Sequence, residues 1–503
     1  MVRAVCCVLM ILGVSAGTAS AFDTAPHFDM TCDVLKSEGF SPTAIQTVQS
    51  ANFFVDFYEF MGTEELRKRT IHPTTDCRPQ LEDILKKGDA QHFDDLDSTK
   101  AVAEKWDTML EATKSTAKAR ENLGKPDILG LLALLGMSLH NVQDFYTHSN
   151  WVEDPPLGPG IGKGALAKYG DHPTWLSMDR KDREALDVYT NFNRPGKPKR
   201  SHGDWKGDAS VAINKDWAGR PHYDDAYICA YFATRQWVRL FKTFLTKTGT
   251  WNEMQNFTRS SFDPTRDWYY AQKISFYGGH WNGNGQPGEG VAGSKTSLAA
   301  VSLQFLGGTC VGGKASALRR DVEDLLLTWG DARYKGPVSI TLPSAAPESL
   351  RFVQLKVHSI FATDGGDGFM GGGMDWFSYG WIDGQWFMSG LVDGHDQFDF
   401  HKKPYYPWTM TKAIPPSRRD IPVMFQMMED DVKYDDFIDI NPRSGKRRLD
   451  ITYTPATGAV SGDVSTATGT VRSDSRFTME GKGDCDCARV IMSVTNIRAA
   501  CLR

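Results

Sequence analysis

The spacing of apolar residues divides the chain into a helical part and a strand-rich part. Between about 27 and 335, apolar residues recur at steps of three and four, as in SPTAIQTVQSANFFVDFYEFM, where Ser41 and Pro42 are typical of a helix start. After about 348 the runs are short and alternate in steps of two, as in LRFVQLKVHSIFA and LDITYT. The pattern predicts a multidomain chain: a mostly α-helical domain, then an antiparallel β-sandwich.

Composition changes set the domain boundaries. The segment LPSAAPES at 342–349 is typical of a linker, so we predict a helical domain at 22–341 and a sandwich at 342–503. Residues 1–21 combine Arg3, an apolar core and the small residues ASA, which is the pattern of a secretory signal peptide. No later run is predicted to span a bilayer, and ILGLLALLGM at 128–137 is assigned to a core helix. We therefore expect a secreted protein, extracellular or periplasmic.

Export would place the cysteines in an oxidising compartment. Two of the nine cysteines lie in the signal segment, which leaves an odd number of seven. We expect one local disulfide among three cysteines near the end of the sequence, namely Cys485, Cys487 and Cys501.

Net charge argues against one class of partner. The formal charge is −5, and no basic excess of the kind that binds nucleic acid is present. We expect no nucleic-acid partner.

The stretch GMSLHNVQDFYTHSNWVE at 136–153 carries the clearest candidate chemistry. His140, Asp144 and His148 stand at steps of four, so on a helix they fall within an arc of about 80° and can converge. Imidazole and carboxylate groups suit zinc, and a buried carboxylate needs a cation or a hydrogen-bonding partner. The pattern indicates either a metal site, or a hydrogen-bonded polar cluster or half-exposed polar stripe.

Further candidate ligands lie near helix ends or on apolar helices in the same domain. Taken singly, each is as well explained as a core or surface residue; taken together they favour metal binding. They are His27, Asp56, His92, His202, His222 and Asp225.

The motif and its companions resemble a known family. SLHNVQDFYTHSNWVE, with SHGDW, INKDW and PHYDDAYICAYFAT, resembles the Het-C family of fungal heterokaryon-incompatibility proteins and their bacterial relatives. The same region occurs in vertebrate von Willebrand A-domain proteins, and the resemblance covers about residues 25–245. More remotely, this region is similar to secreted zinc-dependent phospholipases C and related zinc nucleases.

The remote resemblance implies an α-helical domain with two or three zinc ions. By position, His140 and Asp144 match the central His-x-x-x-Asp pair of that site, with Asp144 as the bridging carboxylate. It further implies phosphoester hydrolysis in which Asp56 accepts the proton of water. The other matched positions are His27, Asp56, His92 and His148, with His202 or His222 completing the set and Asp225 in place of a glutamate.

The second domain resembles a C2-like sandwich, a module that binds calcium and membranes. Hard oxygen ligands on loops suit calcium, although an acidic solvated turn would show the same residues. Phe369, Met370 and Met374 are expected to dip into a lipid interface. The predicted acidic ligands are Asp367, Asp375, Glu429, Asp431, Asp435 and Asp436.

These readings lead to one function and two alternatives. The first is a secreted zinc-dependent phospholipase C that cleaves membrane phospholipids and docks on the phospholipid surface through its C2-like domain, with calcium as a candidate second cofactor. The second is a non-catalytic, metal-stabilised protein for cell-surface or self-recognition, as in incompatibility. The third is a zinc nuclease.

Overall fold

The computed structural model describes most of the chain. The described residues are 24–62, 83–153, 167–190, 213–258, 267–271, 317–343, 348–363, 374–400, 408–430, 436–464, 470–472, 476–482 and 487–502, with short gaps at 85–86, 89–90, 214, 217, 270 and 393. The predicted signal segment 1–21 lies outside them.

The first part of the described chain is helical. Its last helix ends at Gly330, and the first strand begins at Glu348, so the predicted order of a helical part and then antiparallel sheets is confirmed. The helices are α1 (Thr24–Ser37), α2 (Pro42–Gly62), α3 (Thr99–Glu121), α4 (Ile128–His148), α5 (Arg180–Glu184), α6 (Tyr223–Phe244), α7 (Thr250–Gln255) and α8 (Ala317–Gly330).

Helix α4 is the spine of the helical part. It begins where the Asp127 carboxylate accepts the amide hydrogen of Gly130, a standard N-cap, and its side chains are almost all buried. Gly136 lets α2 approach closely: a Cβ there would lie 2.5 Å from the Val48 carbonyl oxygen. By length and composition α4 could cross a membrane, but 89% of its apolar window is buried inside the protein, as in a core helix.

The second part is a β-sandwich of two antiparallel sheets. One sheet has the order β11-β12-β1-β4, with β5 also paired to β1, and the other has the order β10-β9-β8-β6-β2-β3, with β7 also paired to β6. The strands are β1 (Glu348–Ala362), β2 (Trp376–Ile382), β3 (Gln385–Met388), β4 (Gln397–Asp399), β5 (Trp408–Ile414), β6 (Ile421–Glu429), β7 (Asp436–Ile438), β8 (Leu449–Thr454), β9 (Ala459–Gly462), β10 (Thr470–Arg472), β11 (Phe477–Glu480) and β12 (Ala488–Cys501).

The five-stranded sheet packs its outer face against the helices. Val353 and Leu355 of β1 point into the sandwich, whereas Phe352, immediately before Val353, belongs to the helical core and packs edge-on against Tyr231 of α6. Polar contacts surround this apolar centre: the Gln354 amide donates to Asp224 over 2.7 Å, and Lys412 pairs with the buried Asp33 of α1. The helical core therefore includes residues from the sandwich.

The expected local disulfide is wrong as a bond between Cys487 and Cys501, and Cys485, its other cysteine, lies outside the described residues. Cys32, Cys229 and Cys501 are free thiols. Cys487 precedes β12 and Cys501 ends it. A strand of this length separates its ends by roughly 45 Å, far beyond the reach of a disulfide.

Candidate metal centre

Four segments bring five titratable side chains together beside the middle of α4. His140 and Asp144 stand one turn apart on α4, and α1 and α2 supply His27 and Asp56. His92 comes from the segment before α3. None of the five side chains is more than 3% exposed. The structure thus gathers residues that are up to 117 positions apart in the sequence.

Asp144 is the centre of the cluster. One carboxylate oxygen, Oδ1, lies 3.2 Å from Nε2 of His27. The other oxygen, Oδ2, lies 2.8 Å from Nδ1 of His92 and 2.9 Å from Nε2 of His140. Asp56 joins through His140, whose Nε2 is 3.6 Å from Asp56 Oδ1. Two carboxylates and three imidazoles therefore share one small volume.

The hydrogen bonds behind His140 fix which of its nitrogens faces the cluster. Nδ1 lies 3.2 Å from Asn52 Oδ1. The Asn52 amide group donates to Gln143 Oε1 over 3.0 Å, which leaves Oδ1 as the acceptor beside His140. A neutral His140 therefore carries its hydrogen on Nδ1 and presents the lone pair of Nε2 to the cluster. Metal-binding histidines are held in this way by a partner behind the ring.

His27 is oriented by the same network. Its Nδ1 lies 2.6 Å from Gln143 Oε1, and the Gln143 amide group donates to the hydroxyls of Thr31 and Thr234, each over 3.2 Å. A neutral His27 thus directs the lone pair of Nε2 at Asp144 Oδ1. Two lone-pair nitrogens and a carboxylate repel one another at these distances unless a proton or a metal cation lies between them.

The pKa shifts follow from this arrangement. Burial alone would lower the pKa of His27, but its hydrogen bond and attraction to Asp144 outweigh burial and raise it. Burial lowers the pKa of His140 to about 3, despite Asp144. Burial opposes ionisation of Asp144 as well, but the charge of His140 and the hydrogen bonds of all three imidazoles hold its pKa well below the usual range. These shifts favour an anionic Asp144 carboxylate at the centre of the cluster.

The donor atoms suit metal ions. Two groups have ligand atoms within 4.8 Å of one another: His27, His140 and Asp144 form one, and Asp56, His92 and His140 form the other. Nitrogen and carboxylate ligands in threes are the donor set of zinc sites that keep an open position. The residues present therefore fit one or two divalent ions.

A second polar group occupies the C-terminal end of α4. His148 Nδ1 lies 2.8 Å from Asp94 Oδ1, and its Nε2 lies 3.4 Å from Asp216 Oδ1. Burial opposes protonation of His148, but the two carboxylates raise its pKa well above the usual value. Asp94 and Asp216 are functional candidates that the predicted ligand set leaves out, although HFDD and INKDW contain them.

Two predicted ligands lie away from both groups. His222 is an exposed residue in the left-handed conformation (φ 63°) immediately before α6, and Asp225 is half-exposed and lies 3.2 Å from His172. As ligands of the buried cluster, they are therefore wrong: the start of α6 places them at the surface. His202 lies outside the described residues.

The predicted calcium ligands are only partly described. Glu429 and Asp436 are paired across β6 and β7, and Trp376, next to Asp375, pairs with Glu429, so these positions share one end of the sheet. Asp375 Oδ1 accepts the amide hydrogen of Gly394 over 2.7 Å. Met374 is only 1% exposed, so the expectation that it dips into lipid is wrong. Outside the described residues lie Asp367, Phe369, Met370, Asp431 and Asp435.

Comparison with protein families gives one match. The family model described as the VWA7 N-terminal domain matches residues 74–159, a segment that includes α3, α4 and His92. The match covers less than half of the chain, so it shows what this segment is similar to and not a family for the whole. The match agrees with the predicted resemblance to von Willebrand A-domain proteins. It is not a match to the Het-C family. No curated protein is significantly similar to the chain.

Solved structures show only faint likeness. Human GIVD cytosolic phospholipase A2 is 9% identical, with 30% of this chain and 18% of that one covered, at a TM-score of 0.19. A C2 domain is 10% identical over 29% and 96% of the two chains, at 0.17. The alpha-toxin of Clostridium perfringens is 13% identical over 83% and 97%, at 0.12. At such scores, none of these likenesses establishes a shared fold or carries a functional argument.

Proposed function

We propose that the protein is a secreted, divalent-metal-dependent phosphodiesterase that cleaves membrane phospholipids in the manner of a phospholipase C. The observation that carries the proposal is the buried cluster around Asp144, where three imidazoles and two carboxylates converge. Zinc is the ion that this donor set suits best. His27, His92, His140, Asp56 and Asp144 would hold it, and two or three ions are proposed if His148 and its carboxylates take part.

The protein side chains divide the work of such a site. A bound zinc ion would supply Lewis-acid stabilisation of phosphoryl oxygens. Asp144 anchors three imidazoles at once, and Asn52 and Gln143 fix the orientation of His140 and His27. Asp56 is our candidate proton acceptor, because its carboxylate lies beside the cluster, with Oδ1 3.6 Å from Nε2 of His140, and a carboxylate can serve as a general base.

One observation favours a second candidate function. All five side chains are at most 3% exposed, which suits a metal that rigidifies a scaffold as well as one that meets a substrate. The second candidate is therefore a non-catalytic, metal-stabilised protein for cell-surface or self-recognition.

The sandwich is proposed as the module that brings the protein to a phospholipid surface. The positions of Asp375, Glu429 and Asp436, at one end of the seven-stranded sheet, support a calcium site there.

The test combines metal analysis with hydrolysis. Purified protein is measured for bound metal and then assayed on phosphatidylcholine vesicles and on single-stranded DNA, before and after treatment with a chelator and after zinc is restored. We expect at least one zinc per chain and chelator-sensitive release of the phosphorylated head group. Zinc without hydrolysis of either substrate would favour the scaffold, hydrolysis of DNA alone would favour a nuclease, and less than one zinc per chain would overturn the proposal.

Variants locate the activity. Asp144→Asn should lose metal and hydrolysis together. The matched control is Asp107→Asn, which alters a carboxylate that is 3% exposed and pairs with Arg180 on another side of the helical part. This control should keep its zinc.

A further inference from the structure

The outer face of the seven-stranded sheet is apolar where a solvated face should be polar. Gly380 of β2 points into the sandwich, because a Cβ there would meet Met410 Sδ at 2.2 Å. Its neighbours Tyr379 and Trp381 therefore point outwards. An antiparallel sheet with one face in water normally alternates apolar and polar side chains, and β2 does not.

Strand pairing extends this apolar character to β3, β6 and β7, and Phe377 and Met428 of the same face pack with Leu391 in a small buried cluster. Trp381 is opposite Trp386 of β3 on one side and Met424 of β6 on the other. Phe437 of β7 is opposite Met428, which lies four residues beyond Met424 and so points to the same face. We call Trp381, Trp386, Met424 and Phe437 the aromatic face.

Two members of the aromatic face are largely exposed. Trp386 is 61% exposed and Phe437 is 53% exposed, whereas Trp381 and Met424 are half-buried. The helices pack mainly against the outer face of the other sheet through Phe352, and α1 reaches the seven-stranded sheet only at its β2–β3 edge among the described residues, where Lys36 donates to the Gly384 carbonyl oxygen and Gln385 donates to that of Asp29. An exposed apolar surface of this kind marks an interaction site.

A run of cations adjoins the aromatic face. Residues 442–448, which we call the basic loop, carry four exposed cationic side chains: Arg443, Lys446, Arg447 and Arg448. Arg443 and Lys446 pair with the carboxylate of Asp463, and Arg448 pairs with that of Asp450. Arg447 Nη1 donates to the Phe437 carbonyl oxygen over 2.9 Å, so the basic loop contacts the backbone of the strand that carries the exposed ring.

The basic loop is held in a defined shape. The Asn441 side chain accepts the Arg443 amide hydrogen over 2.8 Å and donates to Asp463 Oδ2 over 3.0 Å. The cations are therefore presented by a folded turn on the same side of the sandwich as Phe437.

We propose that the aromatic face and the basic loop together dock on an anionic phospholipid bilayer without calcium. Tryptophan and phenylalanine rings enter the interfacial region of a bilayer, and a neighbouring group of cations is attracted by anionic head groups. A protein partner would have to match both the aromatic and the cationic parts, whereas an anionic bilayer offers both chemistries over any area. The inference rests on the proposed function only in taking a bilayer as the place where the substrate is found.

The test measures binding of the full chain to vesicles by sedimentation in calcium-free buffer. The vesicles are phosphatidylcholine alone or phosphatidylcholine with phosphatidylserine. Hydrolysis is measured separately on p-nitrophenyl phosphorylcholine, a soluble phosphodiester, so that failure of docking and failure of catalysis give different results. We expect binding to the mixed vesicles to be at least tenfold tighter than to phosphatidylcholine.

Two surface variants probe the two halves of the docking surface. Trp386→Ser with Phe437→Ser should weaken binding to both kinds of vesicle by about tenfold or more. Lys446→Gln with Arg448→Gln should weaken binding to the mixed vesicles only. The matched controls are Leu123→Ser with Tyr334→Ser, two exposed apolar residues of the helical part, and Arg333→Gln with Lys335→Gln, and these should bind as the unaltered protein does.

Several outcomes would overturn the docking proposal. Three concern vesicles: the unaltered protein does not bind, it binds only after calcium is added, or the aromatic double variant binds as well as the unaltered protein. The fourth is a change in the oligomeric state of that variant without lipid, which would show that the aromatic face is an interface between copies of this chain. Vesicle binding with the expected pattern but no hydrolysis of either phosphodiester would leave docking in place and overturn the proposed function. Thermal melting confirms that each variant is folded.

Discussion

The helical core and the outer face of the seven-stranded sheet are unusual in opposite ways: the core buries ionisable side chains, and the sheet exposes aromatic ones. Beside α4, ionisable groups such as Asp144 and His140 are wholly buried, where apolar side chains are usual. On the sandwich, Trp386 and Phe437 are more than half exposed, where polar side chains are usual. A buried carboxylate needs a cation or hydrogen-bond donors inside the protein, whereas an exposed aromatic surface is typical of a site that binds a partner outside it.

This difference predicts where substitutions matter for stability. The buried cluster is tied to three helices by hydrogen bonds, so changes there should affect folding and metal binding together. The aromatic face contacts less of its own protein, so changes there should affect binding and leave folding almost untouched.

The largest effect is expected from removing metal. A ligand present at about 1,000 times its Kd stabilises the folded state by about 4 kcal/mol, which for a helical part of this size corresponds to a fall in Tm of roughly 10 °C on chelation. Thermal melts with chelator, and again after zinc is restored, measure this fall. Asp144→Asn should show no response to the chelator; an equal response in both proteins, or none in the unaltered one, would contradict a buried metal.

The next effect concerns the contact between α2 and α4. Gly136→Ala would place a methyl group 2.5 Å from the Val48 carbonyl and 2.6 Å from Ala51 Cβ, and backbone cannot move aside easily. We expect the free energy of unfolding to fall by about 1–3 kcal/mol. Denaturant unfolding measures this, with Gly124→Ala, which has open space around it, as the control. If both variants were equally stable, α2 and α4 would be able to move apart at Gly136 without loss of unfolding free energy, which would contradict the prediction.

A smaller effect is expected behind the ligands. Asn52→Ala removes the acceptor for His140 Nδ1 and should weaken zinc binding about 10- to 100-fold without unfolding the protein. Competition with a chelator of known affinity measures the change. Gln49→Ala, which alters an amide on the same helix that bonds to the Phe28 carbonyl, should retain the original zinc affinity. Similar losses in both variants would indicate general loosening of α2.

The smallest effect is expected on the aromatic face. Trp386→Thr keeps a good strand residue and should change the free energy of unfolding by no more than about 0.5 kcal/mol. Trp376→Thr, on the neighbouring strand but fully buried, should cost about 3–5 kcal/mol. Denaturant unfolding of the two variants compares them directly, and a similar cost for both would remove the contrast between face and core.

Much of the architecture could be predicted from periodicity. The three-and-four spacing of α2 and α4 and the alternation in β8 correspond to the observed elements. The position of α6 is also predictable, but its first turn is not. His222 adopts a left-handed conformation immediately before α6, and the first turn of that helix lies at the surface. No pattern in the sequence predicts this left-handed residue.

The candidate site was only partly predictable for a similar reason. Titratable residues on apolar helices draw attention, and so His27, His92 and Asp144 can be singled out. Asn52 and Gln143 are neutral residues that matter because they hydrogen-bond to the imidazoles of His140 and His27. These contacts join different helices, so the spacing of residues within one helix cannot predict them. Likewise, the contacts of Asp94 and Asp216 with His148 join positions that are distant in sequence. That these residues bind metal stays a prediction.

Strand β12 has a consequence for how the protein is made. It begins at the far end of the sandwich and finishes inside the helical core, where Ala499 and Cys501 are buried and the Leu502 amide bonds to Tyr169. The ribosome delivers these residues long after it has delivered α1 to α8. The helical part cannot complete its core until these residues of β12 have been synthesised, so its final closure requires the sandwich that precedes them to have been made first.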